Sequence, residues 1–260
     1  VNVVLNMFFG PAVNAARGVA YQVLSKLNGF VSNFQMALNP QIIKNYASGE
    51  RESMYKLVFR GAKMSYLLLL TLSLPVVIEA QFILSIWLKE VPNYTVIFLQ
   101  IVIFIALLNT LSNPLIITMH ASGKVRDYQI VVGGMSLLTL PSVYIGFKYF
   151  GLAPYYAMII CFIVEVVCHL LRLYMLHKTI NFPMGRFLFE VTLRVLLITL
   201  LSFIFPLLVY NICDSVVIRF PIVCFLSIIS TLGCGYFLGF NAHEQAVIRG
   251  KVSGLCNKIV

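Results

Sequence analysis

Residues 64–88 read MSYLLLLTLSLPVVIEAQFILSIWL, an apolar run broken by a single charge, Glu79. A helix needs about 20 mostly apolar residues to cross a bilayer, so this stretch predicts a membrane span. Five more stretches meet the same test: residues 94–119, 128–150, 152–176, 187–210 and 216–240. Pro92-Asn93, Ser122-Gly123, Gly151, Asn181-Phe182-Pro183 and residues 211–214 punctuate them. The linkers are short, so successive spans are expected to run antiparallel. The expected fold class is all-α, a polytopic transmembrane helix bundle.

Composition agrees. Of 260 residues, 60% are hydrophobic and 11% charged, and the mean hydropathy is +0.92. Soluble domains carry roughly 25% charged residues, and so few charges cannot cover this much apolar surface in water. Six cysteines are scattered with no CxxC pair, which reads as free thiols rather than a disulfide framework or metal site. No nucleophile–base pair or metal-ligand spacing emerges, so no catalytic residue, metal ligand or cofactor is expected.

Charge placement gives an orientation. If the chain alternates sides, fourteen Lys and Arg, from Lys44 to Lys258, fall in one set of loops. Only Lys89, Lys148 and Arg219 fall in the other. The positive-inside rule then puts the rich set and the C-terminus in the cytoplasm. The formal charge of +10 is thus read as topology. Nucleic-acid binding would need those cations gathered on one solvated face, so it is not expected.

The N-terminal region differs. Residues 1–9 read as the tail of a further span, so the chain is expected to be a piece of a longer protein. After Gly10-Pro11 a helix is expected over residues 13–39. Asn14, Arg17, Tyr21, Ser25, Asn28, Ser32, Gln35 and Asn39 recur at steps of three or four and form one polar stripe. Gln22, Lys26, Gly29 and Asn33 flank it. An Arg or Lys at the bilayer centre costs about 2.5–3.5 kcal/mol on insertion scales, so this face must meet water or polar groups. Either the helix lies flat at the interface, or it spans and lines a hydrated cavity. The stripe is rich in amides and hydroxyls rather than cations, which favours the cavity. Residues 40–63 read as a charged helical hairpin at the membrane surface.

Three segments resemble bacterial polysaccharide flippases of the O-antigen (Wzx) type. They are Phe8-Phe9-Gly10-Pro11-Ala12-Val13-Asn14-Ala15-Ala16-Arg17-Gly18-Val19-Ala20-Tyr21-Gln22-Val23, Asn39-Pro40-Gln41-Ile42-Ile43-Lys44-Asn45-Tyr46-Ala47-Ser48-Gly49, and residues 121–134 with Leu140-Pro141. The resemblance runs from about residue 1 to 178; the last two helices match in hydropathy only. That family belongs to the multidrug/oligosaccharidyl-lipid/polysaccharide superfamily, whose members are MATE-like in fold. The resemblance implies a second six-helix lobe over residues 1–180, two additional helices over 181–240 and a short basic tail over 241–260.

It further implies a bacterial inner membrane location and transport of a polyprenyl-pyrophosphate-linked oligosaccharide for O-antigen, capsule or another surface polysaccharide. Expected partners are the lipid-linked oligosaccharide, membrane lipid, an N-terminal lobe upstream and polysaccharide polymerase machinery. On this reading Arg17 and Lys26 attract the pyrophosphate or an acidic sugar. Asn14, Gln22, Asn28, Asn33 and Gln35 hydrogen-bond sugar hydroxyls. Gly10-Pro11 and Asn113-Pro114 are candidate flex points, while Gly133-Gly134 reads as a close-packing site.

Other ionisable residues leave alternatives open. Glu165, His169 and Arg172 share one helix face. They form either a proton- or ion-coupling relay or an internal ion pair with Arg172 snorkelling to the interface. Glu79 lies near the outer end of its span or faces the cavity. Glu190 and Arg194 suggest an (i, i+4) pair. Competing functions are a MATE-like exporter of small cations, a lipid II flippase, or a membrane-bound polysaccharide polymerase or acyltransferase. A cation exporter wants acids in the cavity, and an enzyme wants a catalytic cluster in a loop; neither is evident here.

Overall fold

A computed structural model of the chain describes residues 1–239; the basic tail and Cys256 lie outside them. The described residues form helices and no strand: α1 (Asn2–Ala47), α2 (Arg51–Ile78), α3 (Ala80–Trp87), α4 (Thr95–Ala121), α5 (Val125–Leu137), α6 (Thr139–Phe150), α7 (Tyr156–Ile180), α8 (Met184–Phe187), α9 (Arg194–Ile212) and α10 (Val216–Cys234). One π-helical turn (Leu188–Leu193) joins α8 to α9 and another (Gly235–Gly239) follows α10. Six helical units are long and apolar enough to cross a membrane. The protein is an all-α, polytopic helix bundle.

The expected spans are present, with shifted edges. The third is α5 and α6 in line, bent at Leu138. The fourth begins at Tyr156, because Gly151 takes a left-handed conformation and ends α6. The surface hairpin expected over residues 40–63 is instead the joined ends of two long helices. Pro40 sits inside α1 without ending it, and the turn is confined to residues 48–50, where Gly49 has φ +78°. In α2 the buried residues Met54, Val58, Ala62 and Tyr66 extend the apolar face of the span down through the charged segment. Arg51, Glu52, Lys56 and Arg60 fall off that face, so the charges disguise a continuous helix.

Gly10 does break α1. Its φ of +80° and ψ of 179° are non-helical, a region open to glycine at little cost. Pro11 then starts the next helix, where its missing N–H is no loss. The two arms fold back far enough for Arg17 to donate a hydrogen bond to Asn2 Oδ1. Phe8 and Phe9 pack on Phe147 of α6, with ring centroids 5.7 and 4.9 Å apart.

The helices α2 and α4 form the centre; 61% and 56% of their apolar windows are buried, against 17% for the unit containing α10. Helix α4 packs between α1, α2 and α7, while α9 and α10 pair with each other and lean on α2. At Gly61 a side chain would come within 2.9 Å of Leu38, so glycine lets α2 approach α1 closely. Gly134 has no such neighbour, since a Cβ there meets nothing within 4 Å. Among the described residues, then, neither glycine packs on another helix, since a Cβ at Gly133 would meet only Gln129 of α5 itself.

Two charged contacts fasten α10 to α2. Arg219 donates to both carboxylate oxygens of Glu79, at 2.7 and 3.0 Å, and its guanidinium lies 4.2 Å from the Tyr210 ring centroid. Glu79 is 1% exposed. Midway along α2, buried Lys63 donates to the Gly239 carbonyl at 3.0 Å. Helix ends that the charge count grouped on one side also meet. Tyr55 donates to the Ile180 carbonyl at 3.3 Å, and Arg186 lies 3.6 Å from Glu52. Glu190 accepts from Arg186 at 3.1 Å, a different (i, i+4) pairing from the one with Arg194 that the sequence suggested.

Removing one partner of a buried ion pair leaves an uncompensated charge, a loss of about 3 kcal/mol. Arg219→Met is therefore expected to lower the thermal unfolding midpoint of the full-length protein in detergent. Adding Glu79→Gln to that variant should recover most of the loss. Equal midpoints for wild type and Arg219→Met would show that the pair contributes nothing.

Candidate functional site

The polar stripe of α1 does not face lipid along its length. Tyr21, Ser25, Asn28, Ser32 and Gln35 form one wall of a cleft of about 800 Å³. The facing wall is α4, from Val102 to Ile116, and carries Asn109, Thr110 and Asn113. Each helix contributes a stretch of fifteen residues, 21–35 and 102–116, which is about 22 Å at 1.5 Å per residue. Helix α1 thus runs alongside a candidate span rather than across its end.

A second cleft of about 700 Å³ adjoins the first around α1, sharing Tyr21 and Ser25. Gln22, Lys26 and Trp87 complete its polar and aromatic lining. The predicted residues therefore separate. Asn28 and Gln35 line the first cleft, and Gln22 and Lys26 the second. Asn33 is exposed and Asn14 half-buried, and neither lines a cleft. Arg17 is engaged within the chain, donating to Asn2 and lying with its guanidinium 4.4 Å from the Tyr21 ring centroid. Of the two cations, only Lys26 borders a cleft.

Gln35 has a structural task that its place in the stripe did not reveal. Pro114 lacks the N–H that would bond the carbonyl of Thr110 four residues back. That freed carbonyl accepts a hydrogen bond from Gln35 Nε2 at 3.1 Å. Asn113 Nδ2 donates to Gln35 Oε1 at 2.5 Å. Gln35 is 6% exposed and both ends of its amide are used, so it pins α1 to the proline site of α4. The groups left to meet a ligand are Asn28, Ser25, Ser32 and, from α4, Asn109. Asn109 was missed in the sequence. Its signal was the Asn109/Asn113 spacing of four, which puts two amides on one face of an otherwise apolar span.

The second ionisable group lies elsewhere. Arg172 Nη1 is 2.5 Å from Glu165 Oε1 and donates to Ser112 Oγ at 3.2 Å. Ser112 Oγ is in turn 2.8 Å from His169 Nδ1. Arg172 and His169 are 8% and 2% exposed. Arg172 therefore does not snorkel; it ties α7 to α4 inside the bundle. None of the three predicted residues lines the α1/α4 cleft, although Ser112 is adjacent in sequence to Asn113, which does. Glu79 is likewise committed to Arg219. No group of three or more His, Cys, Asp or Glu able to hold a metal occurs among the described residues.

Leaving the Thr110 carbonyl without a donor should cost about 2 kcal/mol, the usual penalty for a buried polar group. Gln35→Ala is expected to show that loss in the wild-type background. It should show much less beside Pro114→Ala, whose restored N–H takes the same carbonyl. A double-mutant cycle read by thermal unfolding measures the difference, and additive effects would refute the link. No family model, no curated protein and no solved structure matches this chain.

Proposed function

We propose that this chain is the cavity-lining lobe, with two additional helices, of a flippase for polyprenyl-pyrophosphate-linked oligosaccharides. The observation that carries the reading is the cleft between α1 and α4, whose walls set amides and hydroxyls among aliphatic side chains. A sugar chain presents many hydroxyls and must leave water without losing its hydrogen bonds. A wall of amides and hydroxyls supplies replacements, and a volume near 800 Å³ falls in the range of ligand sites. The motifs in α1 and at residues 121–134 that resemble Wzx-type flippases point the same way.

On this reading the residues of the stripe divide their roles. Asn28, Ser25, Ser32 and Asn109 are the groups placed to bond sugar hydroxyls. Lys26, beside Gln22 and Trp87, is the cation placed to attract a phosphate or acidic sugar. Lys suits that role as a strongly hydrated point charge that binds without fixed geometry. Trp87 offers an aromatic face beside it. Arg17, held by Asn2 and Tyr21, supports the fold of α1 at the Gly10 break. A MATE-like exporter of small cations fits less well, because the described residues lining either cleft include no carboxylate.

The same walls suit a lipid II flippase, so the test must separate cargoes. Full-length protein carrying Lys26→Ala with Asn28→Ala and Asn109→Ala should reach the membrane at the normal level yet fail to restore surface polysaccharide in a strain lacking its own flippase. Arg17→Ala is expected to reduce protein level rather than export per molecule. Normal export by the triple variant, or rescue of lipid II transport in place of polysaccharide, would overturn the proposal.

A further inference from the structure

Helices α5 and α7 are antiparallel neighbours, and a groove of about 560 Å³ opens between them on the outside of the bundle. Its lining is sorted by polarity. At one end stand Lys124, Asp127, Lys178 and Thr179, and further along both helices stand Ile130, Val131 and Leu171. Ile130 is six residues past Lys124, and Leu171 seven before Lys178, so each helix carries its apolar residues about 10 Å deeper than its lysine. Ile130 is 64% exposed, as suits a side chain that meets hydrocarbon.

Between the two zones lies Tyr174, a residue type enriched at the membrane–water boundary. Neither lysine forms an ion pair among the described residues. The groove thus has a cationic mouth, an aromatic collar and an apolar floor. That order matches an amphiphile with an anionic head and a hydrocarbon tail.

We propose that this groove holds one anionic phospholipid, its phosphate between Lys124 and Lys178 and an acyl chain along Ile130 and Leu171. Two cations against the single acid Asp127 leave the mouth net positive, which favours a phosphodiester head without a compensating ammonium. Asp127 and Thr179 then serve as hydrogen-bond partners for headgroup hydroxyls, as in phosphatidylglycerol. The site lies apart from the α1/α4 cleft and shares no residue with it. Lipid bound there would bridge α5 and α7, which flank the groove on either side. Basic pockets between spanning helices are common seats for anionic headgroups, each cation contributing about fivefold in affinity.

Native mass spectrometry of the delipidated full-length protein, titrated with phosphatidylglycerol, phosphatidylcholine or phosphatidylethanolamine, tests this. Phosphatidylglycerol should bind well above phosphatidylcholine. Lys124→Ala with Lys178→Ala should weaken it about 25-fold, to the phosphatidylcholine level, while Lys148→Ala should leave it unchanged. Val131→Trp, which fills the apolar floor and keeps both lysines, should weaken it as well. Asp127→Asn should leave phosphatidylglycerol binding intact or stronger. Equal binding of phosphatidylglycerol and phosphatidylcholine would overturn the proposal, as would an unaffected lysine double variant. So would displacement of the lipid by inorganic phosphate, or a preference for phosphatidylethanolamine that Asp127→Asn abolishes.

Discussion

A backbone carbonyl freed by a helix break has no water to turn to in hydrocarbon, and this requirement organises the bundle. An unsatisfied group of that kind costs several kcal/mol. The chain breaks or ends its helices repeatedly, and at four places a side chain from another helix reaches the freed oxygen. Gln35 meets Thr110, opened by Pro114. Ser230 meets Ser202 at 2.8 Å, opened by Pro206 in the same way. Gln100 meets Val77 at 3.1 Å, beside the α2/α3 break. Tyr55 meets Ile180 at the end of α7. Each bond fixes the height of one helix against another, so satisfying the backbone also sets the register. The apolar faces alone could slide, because lipid tails are as apolar as leucine.

The same logic separates the polar residues into two kinds. Those tied to other helices hold the frame: Gln35, Lys63, the Glu79–Arg219 pair and the Glu165–Arg172–Ser112–His169 cluster. Those on the cleft wall with spare hydrogen-bonding capacity, such as Asn28 and Asn109, are available to a guest. A stripe on a helical wheel mixes the two, because periodicity reports which side a residue faces and not what it touches.

Much of the architecture was legible in the sequence. Hydropathy located all six apolar spans, and the step of three or four residues located the polar face of α1. The α2 extension was obscured because Arg51, Glu52, Lys56 and Arg60 dominate a window average while Met54, Val58 and Ala62 carry the packing. Asn109 was hidden by the apolar residues around it. The partner of Glu79 was out of reach for another reason: Arg219 is 140 residues away, and no local pattern encodes a contact made by helices from opposite ends of the chain. The charge count did place Arg219 in the sparse set and Glu79 near the same edge, which agrees with their meeting.

That separation has a bearing on how the protein is made. Ribosomes add about 5–20 residues per second, so Glu79 emerges on the order of 7–30 s before the arginine that neutralises it. Through that interval its carboxylate has no Arg219, and a lone charge is poorly tolerated in hydrocarbon. The break at Glu79, between α2 and α3, sets that carboxylate at a helix junction rather than within a helix. The last helical pair thus brings the residue that neutralises Glu79, and a nascent chain halted before Val216 is one whose first apolar span still lacks that partner.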